Sequence, residues 1–178
     1  MSRSLNLPFD PVARAAELWA RRWGDEAVDA MAAVTSLMRA QQILLGELDA
    51  VLRPHRLTFA RYEALVLLSF AREGGLPLSK IGERLMVHPT SVTNTIDRLE
   101  AAGLVVRGPN PRDRRGVLAS ITPDGRELVE RATRDLTQAR FGMGSLSAGD
   151  LKALFDVLVR LRVDAGDFTP RSTDSRTS

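Results

Sequence analysis

Apolar side chains recur at helical spacing along much of the chain. Between Asp25 and Leu52 they lie three, four or seven residues apart, at Val28, Met31, Val34, Met38, Leu45, Leu48 and Leu52. Residues at this spacing share one face of an α-helix. The pattern therefore predicts a long amphipathic helix over 25–52. Arg53-Pro54-His55 ends it, because proline cannot continue the backbone hydrogen bonding.

Two further helices are predicted on either side of this one. Asp10-Pro11 begins a helix through ARAAELWARRW, since proline fits the first helical position, and Gly24 ends it. Thr58 is an N-cap for a helix over 59–73, which ends at Gly74-Gly75.

Short helices follow in the middle of the chain. Residues 79–86 (SKIGERLM) predict one helix, with Ser79 as its N-cap. Residues 89–102 predict the next, with Pro89 in its first turn and Gly103 at its end.

A small hairpin interrupts the helical pattern. LVVRG (104–108) and VLASIT (117–122) read as two strands, and residues 76–78 are too short for more than an edge strand. Two more helices follow, one over 124–141 and one after a capping-box-like start at Ser147 and Asp150. The fold class is mainly α with a small β-hairpin.

Composition narrows the class of protein. The 178 residues are 44% hydrophobic and 26% charged, which suits one well-buried core. The net charge is +3, and 23 of the 25 basic residues are arginine. Arginine suits planar recognition of phosphates and base edges, although coding bias in a GC-rich genome would produce the same count. The absence of cysteine excludes disulfides and thiol redox switches.

We find no signal peptide and no membrane-length apolar run, and expect a cytoplasmic protein without a membrane partner.

Residues 79–103 have the layout of a helix-turn-helix, with a tight turn near Val87-His88-Pro89. In that motif the second helix lies in the major groove of DNA. One side of the second helix is apolar, and the opposite side carries Thr90, Ser91, Asn94, Asp97 and Arg98. Such side chains reach phosphates and base edges. The alternative is an ordinary surface helix whose polar face meets only water, with Arg98 paired to Asp97 or Glu100.

The loop between the two predicted strands is rich in arginine. NPRDRRG (110–116) places Arg112, Arg114 and Arg115 around Asp113. Directly after a helix-turn-helix, such a hairpin is typical of a wing, whose arginines enter the narrow, negatively charged minor groove. We hypothesise that Asp113 pairs with Arg115 and orients its guanidinium. The alternative is that Asp113 caps the turn.

These motifs together resemble the MarR family of winged-helix bacterial transcription regulators. The resemblance runs from about Asp25 to Val163, and its most specific part is PRDRRGVLASITPDG, with the D-x-R element on Asp113 and Arg115. It implies an obligate homodimer that reads a near-palindromic site in double-stranded DNA. It also implies major-groove contacts by Thr90, Ser91, Asn94 and Arg98, and a minor-groove contact by Arg115. Family members are most often repressors that a small phenolic or anionic ligand releases from DNA.

The resemblance also implies a winged helix-turn-helix between N- and C-terminal dimerisation helices. We expect residues 1–9 and 167–178 to be disordered. Residues 10–57 form N-terminal helices for dimerisation and a possible ligand pocket. Residues 58–123 form the DNA-binding domain, with its recognition helix over 89–102 and its wing over 109–117, and residues 124–166 form C-terminal dimerisation helices.

The sequence departs from the family pattern in several places. His88-Pro89 stands where a serine usually starts the recognition helix, and Asn110 replaces an acid before the wing. Without cysteine, the peroxide-sensing branch of the family is excluded. The chain has an additional N-terminal helix that contains Trp19 and Trp23. In this respect it resembles an N-terminally extended subgroup of the family that includes urate-responsive regulators.

The effector pocket is harder to place. Side chains that offer stacking or a positive charge to an anionic ligand are Trp19, Arg39, His55, Arg61 and Tyr62. Each also has a purely structural interpretation as a core aromatic, a solvated arginine or a loop histidine.

The sequence favours a dimeric, sequence-specific DNA-binding regulator. The alternative is a winged-helix module that binds a protein or RNA. The sequence contains no glycine-rich phosphate loop, nucleophile motif or metal-ligand cluster. We therefore expect that the protein is not an enzyme, has no catalytic residue and binds neither a metal nor a cofactor.

Overall fold

The computed structural model describes residues 7–71, 75–110 and 113–169, with the side chains of 113–115 outside this description. The disorder predicted for 1–9 and 167–178 falls mostly outside these ranges, as does Arg112. The chain divides into two units, Met1–Gly142 and Met143–Ser178. None of the described helices combines the length and the apolar composition that a bilayer crossing requires.

The first three helices begin at local signals. Helix α1 (Pro11–Trp23) begins at Asp10-Pro11, as predicted, and the amide of Val12 donates to the Asp10 carboxylate at 2.8 Å. Helix α2 (Val28–Leu52) begins three residues later than expected, because a turn closes from Val28 N to Asp25 O at 3.2 Å. Thr58 caps α3 (Phe59–Ser69), which confirms that prediction. Helix α3 ends four residues early, with a tighter turn that bonds Ala71 N to Leu68 O.

The helix-turn-helix consists of α4 (Leu78–Leu85) and α5 (Pro89–Ala101). The prediction that Ser79 caps α4 is wrong: Pro77 is the N-cap, and no side chain caps the helix. The reason is tertiary, because Leu76 and Pro77 pair with a distant strand and α4 starts directly from that pairing. Met86, with φ 54°, ends α4 in the left-handed conformation.

The sheet has three antiparallel strands in the order β1-β3-β2. Strand β1 (Leu76–Pro77) is an edge strand, as predicted. Strands β2 (Val105–Asn110) and β3 (Asp113–Ile121) are longer than expected, because pairing continues past a register shift at Pro109/Asn110 to the pair Asn110–Asp113. The prediction that Arg114 and Arg115 lie in a loop is therefore wrong, since both belong to β3.

Helix α6 (Pro123–Gln138) completes the first unit and packs against α2 and α3. It ends before the predicted residue 141, and a 3₁₀ turn over Arg140–Gly142 follows, with Phe141 in the left-handed region at φ 50°. The core of the unit is aliphatic, with Tyr62 as its one buried aromatic side chain among the described residues. Its largest fully buried side chains are Leu52, Leu65, Leu68, Ile81, Ile96, Leu99, Val105 and Leu136.

The second unit contains helix α7 (Ala148–Asp164). Its capping box is confirmed: Asp150 N donates to Ser147 Oγ at 3.2 Å, and Ser147 N donates to Asp150 Oδ2 at 3.0 Å. Beyond the helix, Arg162 Nε donates to Asp167 at 2.7 Å, and the Arg162 guanidinium lies 5.1 Å from the centre of the Phe168 ring.

Candidate nucleic-acid interface

The two helices of the helix-turn-helix approach closely at Gly82. A Cβ added at this residue would lie 3.3 Å from both Val87 O and Val92 Cγ2. Such a contact is tighter than ordinary packing, so a side chain at this position would require the Val87 backbone and the Val92 side chain to shift by a few tenths of an ångström. Gly82 therefore helps to fix where the second helix of the motif stands.

A histidine caps the start of α5. The His88 backbone is extended, with φ −59° and ψ 143°, and its Nδ1 accepts from Thr90 N at 3.3 Å. Pro89 occupies the first turn, as predicted. The acceptor at this helix start is therefore an imidazole nitrogen, at the place where the family that the sequence resembles usually has a serine. This role of His88 was not predicted from the sequence, although His88 stands at the N-cap position directly before Pro89.

The two faces of α5 are arranged as predicted. Val92, Ile96 and Leu99 are buried in the core of the first unit. The residues assigned to DNA contact, Thr90, Ser91, Asn94 and Arg98, are all exposed. Helix α5 thus presents hydroxyl, amide and guanidinium groups to the outside, while its inner face is fixed by aliphatic packing.

Arg107 on β2, which was not among the site residues predicted from the sequence, contacts the flank of α5. Its guanidinium nitrogens lie 2.5 Å from Asp97 Oδ1 and 3.3 Å from Glu100 Oε2. Its backbone amide donates to Glu100 Oε1 at 3.1 Å, and its Nη2 donates to Thr93 O at 3.3 Å. The sequence gives little indication of this contact. Arg107 lies on a strand, and its partners lie on a helix that ends several residues earlier, so the contact can be identified only once the strand has been placed beside the helix.

These contacts overturn the alternative that Arg98 pairs with Asp97 or Glu100. Both carboxylates bind Arg107 instead. Residues one or two positions apart on a helix do not face each other, so Arg98 is badly placed to reach either acid. Within the described part of the chain, Arg98 has no ion pair. Its guanidinium is available to a partner outside the protein.

The hairpin is fixed at its base to the start of α6. Thr122 N donates to Leu104 O at 3.0 Å, and Thr122 Oγ1 donates to Gly103 O at 2.9 Å. The same hydroxyl accepts from Gly125 N at 3.0 Å and so caps α6. At the far end, only residues 111 and 112 separate β2 from β3. The hypothesised pairing of Asp113 with Arg115 involves side chains outside the described residues.

The five candidates for ligand binding do not converge on one site. Trp19 packs on Trp23 with ring centres 4.8 Å apart, beside an open hollow that none of the other four candidates lines. His55 Nε2 lies 2.7 Å from Asp135 Oδ2, and Tyr62 Oη lies 3.0 Å from Thr133 Oγ1, so both side chains reach α6. Arg39 donates to Gln42 Oε1 at 3.3 Å, and Arg61 donates to Arg56 O at 3.4 Å.

A small apolar cavity lies between α3, α4 and α5. Its lining includes Glu63 from α3, Ile81 from α4, and Ser91 and Thr95 from α5. Glu63 keeps part of its surface exposed, but partial burial beside this cavity raises the pKa of its carboxyl above the ordinary value. This titratable group therefore lines the same cavity as Ser91, one of the residues assigned to DNA contact.

Comparison with known proteins agrees with this arrangement. The family profile described as MarR family matches residues 57–117. The chain is 36% identical over 97 residues to an uncharacterised HTH-type regulator, YhbI of Bacillus subtilis, covering 54% of this chain and 60% of that protein. It is 35% identical over 105 residues to the organic hydroperoxide resistance transcriptional regulator of the same species, covering 59% of this chain and 69% of that protein.

Solved structures show the same likeness. Sco5413, a MarR family transcriptional regulator from Streptomyces coelicolor, is 63% identical with a TM-score of 0.75, covering 80% of this chain and 99% of that chain. CouR has been solved on a 23-mer DNA duplex (27% identical, TM-score 0.64, covering 71% of this chain and 89% of that chain). CouR from Rhodococcus jostii RHA1 has also been solved with p-coumaroyl-CoA (26% identical, TM-score 0.62, covering 75% and 92%). The chain described here, with its helix-turn-helix and β-hairpin, belongs to the MarR family of transcriptional regulators.

Proposed function

We propose that the protein is a dimeric, sequence-specific DNA-binding regulator, and that it represses from a pseudo-palindromic operator until a small ligand releases it. The observation that carries the proposal is the exposed polar face of α5, where Arg98 has no ion pair within the described residues. Regulators of this family are not enzymes, and we assign the chain no catalytic residue, metal or cofactor. The proposal places the protein in the cytoplasm, where the bacterial chromosome lies.

The recognition helix is α5, which we place in the major groove. Thr90 and Ser91 stand in its first turn, where free backbone amides also favour a phosphate. Asn94 suits adenine, and Arg98 suits guanine or a phosphate. CouR, a relative of the same fold, has been solved on a DNA duplex, which supports this use of the surface.

The hairpin is the wing, which we place in the minor groove. Strands β2 and β3 extend beyond the core as far as Asn110 and Asp113. Arg114 and Arg115 belong to β3 at this end of the hairpin, and Arg112 directly precedes Asp113 in the sequence. We propose that the narrow groove attracts the charges of all three. We retain the hypothesis that Asp113 orients Arg115.

Large apolar side chains exposed on the single chain support a homodimer. On α1 and α2 of the first unit, Leu18, Trp23, Val34, Met38 and Ile43 are exposed. On α7 of the second unit, Phe155, Val157 and Leu161 are exposed. Monomeric proteins rarely leave so much apolar surface in water. On this proposal residues 58–123 bind DNA, while 10–57 and 124–166 supply the surfaces that meet the second subunit.

The proposed effector is a phenolic or anionic small molecule. CouR has been solved with p-coumaroyl-CoA, which has both characters. Trp19, Arg39, His55, Arg61 and Tyr62 do not share one site on the single chain, so no one ligand contacts all five within it. His55 and Tyr62, which both reach α6, are the pair that we propose for its contacts. We do not transfer a response to hydroperoxides from the Bacillus relative, because this chain has no cysteine to oxidise.

The test is a titration of the purified protein against the intergenic duplex upstream of its own gene, at two salt concentrations, with a scrambled duplex as control. We expect tight binding to the intergenic duplex, two chains per site, and a steep loss of affinity with salt because several phosphates are contacted. Equal, weak binding to both duplexes would instead favour a winged-helix module whose partner is a protein or an RNA.

A further inference from the structure

We propose that Arg107 is a positioning residue of the DNA-binding surface, which sets the spacing between the recognition helix and the wing without itself contacting DNA. The inference rests on the proposed function, since it assigns α5 and the hairpin to the two grooves. Its basis is the set of four contacts that Arg107 makes with the flank of α5.

The contacts form a stripe along the helix. Thr93, Asp97 and Glu100 are spaced by four and three residues, so they lie one above another on the same side of α5. Arg107 reaches all three through its guanidinium, and its backbone amide makes a second bond to Glu100. The contacts of the guanidinium therefore span about two turns of the helix. They fix both the distance between β2 and α5 and the position of β2 along the helix axis.

The position of Arg107 on the hairpin makes this contact useful. Arg107 pairs with Ala119 across the sheet, between the base of the hairpin at Val105 and its outer end at Asn110. Thr122 holds the base, and β1 pairs with β3 at Leu118 and Ala119, so the β3 side of the hairpin is also held at this level. Strand β2 is the outer strand on the opposite side of the sheet. Arg107 attaches this outer strand to α5.

The same contacts change the charge that DNA meets. Asp97 and Glu100 flank the exposed Arg98 in sequence, and both of their side chains are substantially exposed, at 52% and 40%. Two uncompensated carboxylates beside a phosphate would weaken binding. Arg107 supplies one compensating charge and keeps both carboxylates turned toward β2. Its own side chain is only 25% exposed, so it is engaged by the protein and not extended into solvent.

The test uses a variant with the net charge of the wild type. Combining Glu100→Gln with Arg107→Met removes one negative and one positive charge, so the general attraction to DNA is preserved. Glu100→Gln alone is the control, because it leaves the bond between Arg107 and Asp97 in place. The probes are the upstream intergenic duplex and its scrambled counterpart. Hydrogen exchange of amides 105–110, among which Pro109 contributes none, is measured without DNA.

We expect the double variant to bind the intergenic duplex about tenfold more weakly, while its affinity for scrambled DNA stays within about threefold of the wild type. Amides 105–110 should exchange faster, while amides of α6 stay protected. A parallel loss on both duplexes would show that Arg107 is a direct phosphate contact, and unchanged affinity on both would show that it has no role in binding. Either result overturns the inference and leaves the proposed function standing.

Failure of the proposed function would look different. In that case the wild type itself would not distinguish the two duplexes. Hydrogen exchange then decides the inference alone: unchanged exchange over 105–110 in the double variant would show that Arg107 does not hold the hairpin.

Discussion

The junction between the hairpin and α6 can be tested by giving Gly125 a side chain. A Cβ at this position would lie 2.3 Å from the carbonyl oxygen of Leu104 and 2.8 Å from Cγ1 of Ile121. Both distances are well inside van der Waals contact, and the nearer atom belongs to the backbone. That carbonyl also accepts the hydrogen bond from Thr122 N that fixes the base of the hairpin. Gly125→Ala must therefore move the backbone at the point where β2 begins.

The expected cost follows from three contributions. Overpacking costs about 1–3 kcal/mol, and weakening the bond between Thr122 and Leu104 costs up to about 1 kcal/mol. Replacing glycine by alanine in a helix returns about 1 kcal/mol. The 2.3 Å approach to a backbone oxygen places the overpacking cost in the upper part of its range, about 2–3 kcal/mol, so we expect a net loss of about 1–3 kcal/mol in the free energy of unfolding. This loss lowers the melting temperature by roughly 2–12 °C in a chain of this size.

The assay is thermal unfolding followed by circular dichroism, with all variants at one protein concentration because a dimer melts in a concentration-dependent way. Gly46→Ala is the matched control: Gly46 lies in α2, and an added Cβ there meets nothing within 4 Å. The control should be as stable as the wild type or more so, by up to about 1 kcal/mol. A Gly125→Ala protein that melts with the control would refute the close packing of α6 on the hairpin base.

Three further predictions concern charged and capping side chains. Arg98→Ala should weaken operator binding in fluorescence-anisotropy titrations. If Arg98 meets a phosphate, the slope of log affinity against log salt concentration should become less steep by about 0.9 per subunit. Arg131→Ala on α6, which removes an exposed ion pair with Glu127, should leave the titrations unchanged. Burial raises the pKa of Glu63, so folding favours the protonated form of this side chain. The free energy of unfolding of the wild type should therefore fall as pH rises through the folded-state pKa. In urea titrations at several pH values, Glu63→Gln should remove that part of the pH dependence. Hydrogen bonds from the Ser147 hydroxyl and, to a lesser extent, from the Ser147 amide lower the pKa of Asp150. The stability that the capping box contributes is therefore lost as pH falls through that pKa. In Ser147→Ala, an NMR titration of the carboxyl group should show the pKa of Asp150 closer to its ordinary value, and an unchanged pKa would contradict the role of the hydroxyl.

Features encoded locally were predictable from the sequence. Asp10 before Pro11, Thr58 before α3, and the pair Ser147 and Asp150 satisfy backbone amides within three residues, so the caps can be identified without tertiary information. The two faces of α5 were predictable for the same reason, because the 3.6-residue period alone separates Val92 from Asn94.

Features that depend on distant residues were not predictable. Ser79 has a residue type typical of an N-cap, but the pairing of Leu76 and Pro77 with β3 determines where α4 begins. The register shift in β2 decides that Arg114 and Arg115 lie in a strand. Arg107 could be assigned to Asp97 and Glu100 only after β2 had been placed beside α5.

The most direct test of the account is selection of DNA by the purified protein from a library of random duplexes, with the molecular mass of the selected complex measured in solution. We predict enrichment of a near-palindrome whose half-sites lie about one helical turn, roughly 34–36 Å, apart, bound by two chains. Enrichment should fail when Asn94 and Arg98 are both replaced by alanine. If the wild-type protein enriches no sequence, or binds a single half-site as one chain, the central claim of a dimeric operator-binding regulator is contradicted.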